Sequence, residues 1–263
     1  MLYLLYVFIF IVVVAVSLRY NWWRIPINDD NSVRVLMYHS IDEHFGDKFD
    51  KWRVKPDDFE SQIAWMSKKG YKFFTLSEIC EFLDGKEFPK KSVCITFDDG
   101  YGDNFTNAYK ILKKYGAKAT IFLIPNQDEN YWEAKNTSHI SKMLNKEQIL
   151  QMRDIVEFGA HTSTHANLTA ISIQQAKSEI ENSKKEVENI TKKPCLSFAY
   201  PYGKFNNEIV DLVDEAGFKN AVIVRRGVFD INDERLKIKR IGILGTEGFF
   251  DFWLRFTRIR NKF

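Results

Sequence analysis

The 263-residue chain carries 38 Lys and Arg against 35 Asp and Glu, a formal net charge of +3 spread along its length, which excludes the basic stripe of a nucleic-acid binder. Its three cysteines, Cys80, Cys94 and Cys195, are isolated and odd in number, so neither a disulfide framework nor a CxxC metal site is present. With an apolar N-terminal segment set aside, the remainder fits one domain of the size common among α/β barrels.

Residues 1–18 contain no charge, and as a helix they extend about 27 Å, near the thickness of a bilayer core. Tyr20, Trp22 and Trp23 follow with Arg19 and Arg24, an interfacial pattern. The expectation is one transmembrane anchor over 1–20. A cleaved signal peptide is the rival, because Ala15 and Ser17 suit a cleavage site, although a charged leading region is missing. Arg19, Arg24 and Arg34 all follow the span, and the positive-inside rule places them in the cytoplasm. A polar tether, 21–32, joins this segment to the domain expected over 33–263.

Within that domain short apolar runs alternate with amphipathic segments. Strands are expected at 33–38, 71–74, 93–97, 119–124, 155–160, 196–200 and 221–224. Helices are expected at 56–69, where Pro56 opens the segment and Phe59, Ile63 and Met66 share a face, and at 77–83, 107–115, 147–153, 172–190 and 208–216. Residues 129–144 have weak periodicity and read as a long loop over a site. Such alternation predicts parallel strands buried on both faces, in an α/β barrel or a doubly wound sheet.

Chemically suggestive residues fall at the C-terminal ends of these strands: His39, Asp98 with Asp99, His161, and the segment Tyr200 to Tyr202. In a parallel barrel those ends form one rim, where active sites are built. Asp99, His161 and His165 make a ligand set for Zn²⁺ with positions left open. Adjacent side chains on an extended segment diverge, so Asp98 is better suited to take a proton from the attacking water. His39 on the same rim can protonate a leaving amine. Taken singly, Asp98-Asp99-Gly100 is a turn signal and HxxxH is weak; their joint placement is what points to a hydrolytic centre. Aromatic residues, at 15%, suit both a thick core and a groove that stacks on sugar rings.

Thr96-Phe97-Asp98-Asp99-Gly100, His161-Thr162-Ser163-Thr164-His165 and Phe198-Ala199-Tyr200-Pro201-Tyr202-Gly203 resemble the successive motifs of the polysaccharide deacetylases, the NodB homology domain of carbohydrate esterase family 4. The resemblance spans roughly 33–241. It implies a distorted (β/α)7-type barrel that removes N-acetyl groups from amino sugars, with Asp98 as general base and Asp99, His161 and His165 holding a divalent metal, expected to be Zn²⁺. It further implies that Tyr200, Pro201 and Tyr202 belong to the substrate site, the Tyr202 N–H stabilising the oxyanion. Three departures stand out. Ala199 occupies the place of the family's arginine, the Asp-containing motif that tethers that arginine is not recognisable, and no histidine follows His165 to supply the usual acid. Met37-Tyr38-His39-Ser40-Ile41 resembles the branch acting on poly-N-acetylglucosamine, in which an early histidine replaces that acid, so His39 takes that place.

Near the C-terminus, Phe249, Phe250, Phe252, Trp253, Leu254, Phe256 and Ile259 interleave with Arg255, Arg258, Arg260 and Lys262. Residues 249–263 read equally as a basic aromatic tail on an anionic membrane and as a closing barrel helix. The expected substrate is an N-acetylated glycan of the cell envelope or exterior. A lipid-linked saccharide losing a formyl or acetyl group, or a catalytically weak saccharide-binding protein, are the alternatives. Family habit favours a membrane-anchored, extracytoplasmic domain, and no nucleic-acid partner is expected.

Overall fold

The computed structural model describes residues 2–20, 27, 30, 32–84, 87–132 and 139–258. The belt expected at Trp22, Trp23 and Arg24, most of the tether and the tail's end at Ile259, Arg260 and Lys262 lie outside these residues.

Among the described residues nine strands and eight α-helices follow one another. Strands β1 (Ser32–Tyr38), β3 (Ser92–Phe97), β4 (Ala119–Leu123), β5 (Val156–Ala160), β6 (Ser197–Ala199), β7 (Asn220–Arg226) and β9 (Ile238–Gly242) are all parallel to their neighbours in this ring. Because β1 pairs with both β3 and β9, the seven close into a barrel. The expected (β/α)7 barrel is therefore present. Its distortion is visible at two seams: β5 and β6 share one register pair, Ala160 with Phe198, and β7 shifts register against β9 between Val222 and Arg226. Strand β2 (Lys72–Phe74) adds to the start of β3, and β8 (Phe229–Asp230) runs antiparallel to the start of β1.

Local sequence explains the flanking helices. Pro56 opens α2 (Pro56–Lys68), where its missing N–H costs nothing. Reciprocal Asn145–Gln148 and Ser172–Gln175 capping boxes start α5 (Lys146–Met152) and α6 (Ile173–Thr191). Between β3 and α4 (Tyr109–Lys114) the backbone first makes a wider, π-helical turn over Asn104–Ala108. α7 (Asn207–Glu215) completes the ring of helices found close to the expected positions.

Helix α3 (Leu76–Asp84) closes the bottom of the barrel. Leu76 N–H donates to Thr120 Oγ1, while Ser77 N–H and Oγ both donate to Glu157, which also accepts from Ser197 Oγ and Thr120 Oγ1. Above this polar layer, Phe122 fills the lumen. Gly159 makes room for it, since a Cβ there would lie 2.6 Å from both the Phe122 ring and the Ser197 carbonyl.

The C-terminal aromatics form α8 (Phe249–Thr257), in which Phe252, Leu254 and Phe256 are buried. Trp65 of α2 makes edge contacts with Phe249, Phe252 and Phe256. Arg34 Nε donates 2.7 Å to the Phe256 carbonyl, and its guanidinium stacks near the Tyr71 and Phe256 rings. Residues 249–257 are thus a helix packed on the barrel, with Phe249 and Phe250 left exposed, and Arg34 is a buried β1 residue.

At the other end α1 (Leu2–Tyr20) is helical and its apolar side chains are exposed. Its expected role as a transmembrane span is not supported, because among the described residues no helix is long and apolar enough to cross a membrane.

Candidate active site

The C-terminal ends of the ring strands converge on a cavity lined by His39, Asp98, Asp99, His161, His165 and Tyr202, together with residues of the adjoining loops. Backbone strain marks the rim. Asp99, Thr162, His165 and Tyr202 all have positive φ, at 74°, 65°, 58° and 57°, a region costly for residues with a Cβ and common at functional sites.

That conformation separates the paired aspartates. Asp98 follows β3 and points into the lumen; Asp99, in the left-handed turn, presents its carboxylate to the histidines. Gly100 completes the turn with φ 83°, where a Cβ would meet the Leu123 side chain at 2.7 Å. The Asp99 Oδ1 lies 3.4 Å from His161 Nε2 and 3.5 Å from His165 Nε2. Ligands about 2.0–2.2 Å from a shared tetrahedral ion sit about 3.4 Å from one another, so this donor set fits a divalent metal. The three form the one such cluster of metal-competent groups among the described residues.

The imidazoles are held in the ligating form. His161 Nδ1 lies 2.8 Å from the Ala199 carbonyl, an arrangement in which Nδ1–H donates and leaves the Nε2 lone pair for the metal. Burial lowers the pKa of His161, and burial together with the neighbouring His161 pushes that of His165 down to about 2. The loop between them is gripped from α6. Glu179 accepts from the N–H groups of Ser163 and Thr164 at 2.9 Å and from Thr164 Oγ1 at 2.8 Å, and Ser163 Oγ donates to the Glu179 carbonyl.

Asp98 meets a partner that no local motif announces. Arg240 of β9, 1% exposed, donates Nη1 to Oδ1 at 2.6 Å and Nη2 to Oδ2 at 2.8 Å. It also donates to Thr96 Oγ1 and the Ile223 carbonyl. Burial drives the Asp98 pKa upward, but the charge and hydrogen bonds of Arg240 outweigh it and hold the carboxyl well below the usual range. Asp98 is therefore ionised, the state a base requires, and fixed in orientation. The arginine absent at position 199 is supplied instead from another strand. The alternation of Ile238, Arg240 and Ile241 with Lys239 hints at a strand, but its pairing with Asp98 has no local signal.

His39 caps β1 at the cavity wall. Its ring lies 4.7 Å from that of Trp52, and its Nδ1 is buried without a hydrogen-bond partner. Burial lowers its pKa to about 4, against the opposing pull of Asp98. Asn104 Nδ2 donates to the His39 carbonyl, while Asp103 accepts from Ser40 Oγ and the Ile41 N–H, anchoring the chain on either side. Tyr202 is 55% exposed with its ring 4.5 Å from His165. Tyr200 is buried with its hydroxyl donated to the Leu236 carbonyl, and Pro201 is buried at the start of the turn that carries Tyr202. Trp132, from the long loop after β4, places its ring 5.1 Å from that of His165. Residues 133–138 of that loop lie outside the described residues. Trp52 and Trp132 escaped the sequence reading because loop aromatics carry no periodic signal.

A parallel barrel with a metal-competent Asp–His–His cluster and a buried carboxylate on one rim carries the groups a hydrolase uses. The polysaccharide deacetylase family model matches residues 85–221. The chain is 30% identical, over 81% of its length and 79% of the relative's, to a poly-beta-1,6-N-acetyl-D-glucosamine N-deacetylase of Staphylococcus aureus. Among solved structures it is similar to the deacetylase PplD of Streptococcus pyogenes in complex with acetate, with a TM-score of 0.74 and 27% identity over 87% of this chain and 98% of that one. It is similar also to the polysaccharide deacetylase BC0361 of Bacillus cereus, with a TM-score of 0.73 and 29% identity over 86% and 69%. The chain belongs to the polysaccharide deacetylase family, carbohydrate esterase family 4, and is an enzyme of that class.

Proposed function

We propose that this enzyme removes N-acetyl groups from N-acetylglucosamine-type sugars of a cell-envelope or extracellular polysaccharide, using Zn²⁺ held by Asp99, His161 and His165. The observation that carries the reading is the ionised Asp98 clamped by Arg240 beside the Asp–His–His cluster. When bound, the metal polarises the amide carbonyl and acidifies the attacking water. Asp98 takes the proton from that water, and the Tyr202 backbone N–H donates to the developing oxyanion. His39, neutral at rest because of its burial, takes up the proton that Asp98 has collected and passes it to the departing nitrogen, so the C–N bond breaks to acetate and a free amine. Tyr200 and Pro201 support the turn that presents Tyr202. Similarity to the staphylococcal poly-N-acetylglucosamine enzyme supports the sugar class.

Chito-oligomers incubated with the protein and Zn²⁺ are expected to release acetate, and the chelated protein to release at least ~10²-fold less. No acetate from the metal-loaded protein, or equal release after chelation, sinks the proposal. We also place the domain outside the cytoplasm, on the strength of the polymeric substrate. A reporter fused after Phe263 should be active only if exported; activity only on the cytoplasmic side reverses the assignment.

A further inference from the structure

One wall of the cavity is built from a short helical turn, Lys48–Trp52, between β1 and α2. Lys48, Phe49, Lys51 and Trp52 all line the cavity. The ammonium of Lys48 stands 5.2 Å from the centre of the Phe49 ring, and that of Lys51 stands 4.9 Å from the centre of the Trp52 ring. Trp52 in turn rests on His39. The two cations therefore stand on the wall of the cavity that holds His39, Asp98 and Asp99.

The turn is rigidly mounted. Ser40 N–H donates to the Trp52 carbonyl, Val54 N–H to the Ser40 carbonyl, and Gly245 N–H to the Lys51 carbonyl. Gly245 lies so close that a Cβ on it would overlap the Arg53 carbonyl. Asp47 and Asp50 flank the lysines in sequence and are the natural candidates to neutralise them, yet both turn the other way. Arg53 Nη1 donates to Asp47 Oδ1 at 2.5 Å and to Asp50 Oδ1 at 2.9 Å, and Asp50 also accepts the N–H groups of Phe45 and Gly46. Among the described residues neither lysine ammonium has a carboxylate within ion-pair distance. The other acids of the cavity are occupied as well, Asp98 by Arg240 and Asp99 by the two histidines.

A neutral N-acetylated sugar gains nothing from two unneutralised cations; an anion a few ångströms from the scissile amide gains both attraction and orientation. We propose that Lys48 and Lys51 recognise an anionic group, a phosphodiester or a carboxylate, carried by the saccharide next to the sugar that is deacetylated. This rests on the deacetylase reading and specifies its substrate class.

Three versions of one chito-oligomer test it: the neutral form, the form with a methyl phosphodiester at its reducing end, and the form oxidised there to a carboxylate. The wild-type enzyme should turn over at least one anionic form with kcat/KM about tenfold above the neutral one, mostly through KM, and the advantage should shrink with added salt. In the Lys48→Gln/Lys51→Gln variant the anionic-to-neutral ratio should fall to near one. Which anion is preferred identifies the source of the charge. A wild-type ratio near one for both anions, or a variant in which all three substrates lose equally, overturns the inference. Calorimetric binding of the same three oligomers to Asp98→Asn protein separates the two readings. Charge preference there without acetate release from the wild type removes the deacetylase assignment alone, whereas absence of preference removes the role of the lysines.

Discussion

Replacing Arg240 by Ala is expected to cut deacetylation about 10²-fold, as misplacement of a catalytic group does, and to lower unfolding free energy by about 3–5 kcal/mol, the cost of stranding a buried charge. The carboxylate of Asp98 is 5% exposed at its side chain and is held by both arms of the guanidinium. Without those arms, burial raises the Asp98 pKa against only the weaker opposing pulls of His161 and His39. Base catalysis needs the ionised form and fails as pH drops through that pKa, so the acid limb of the pH–rate profile moves to higher pH. Arg240→Lys, with one point contact in place of a fork, should fall between. Urea unfolding and initial rates of acetate release measure both effects. The double variant Asp98→Asn/Arg240→Met removes both charges and should recover much of the lost stability while remaining inactive. An Arg240→Ala enzyme with wild-type stability and pH profile would show that the pair does neither job.

The second large effect is expected at His161. His161→Ala removes one of three ligands and should reduce metal affinity by more than about 100-fold, beyond the loss caused by a missing supporting hydrogen bond. Deacetylation should fall with it. The fold should survive, because the main structural loss is the bond from Nδ1 to the Ala199 carbonyl, about 1 kcal/mol. Metal content of the purified protein and its far-ultraviolet circular dichroism decide the matter. Unchanged metal stoichiometry would remove His161 from the ligand set.

The barrel was legible in the sequence because strands buried on both faces read as uninterrupted apolar runs between capped helices, and most of them do here. Strand β9 does not. Lys239 and Arg240 interrupt it, since one of its lumen positions holds the guanidinium that Asp98 needs. The absence of arginine at Ala199 was readable locally; its replacement some forty positions later was not, because that relation exists only once the ring closes. The meeting of His39, Asp98, Asp99, His161 and His165 on one rim was legible because a parallel barrel gathers its strand ends, whereas the Trp52 wall and the Glu179 grip come from a loop and a helix face with no period to read. At the N-terminus, apolarity was legible but a crossing of the bilayer was not established by it.

Strand β9 and helix α8 follow every other ring element in chain order, and both engage β1. Ile243 N–H donates to the Met37 carbonyl, and Arg34 holds the Phe256 carbonyl. Until they arrive, the ring has an open edge between β1 and β7, and Asp98 has no countercharge. Assembly of the site thus waits until β9 has been made. A chain cut short before Ile238 keeps Asp99, His161 and His165, yet it retains neither a closed barrel nor the guanidinium that holds Asp98.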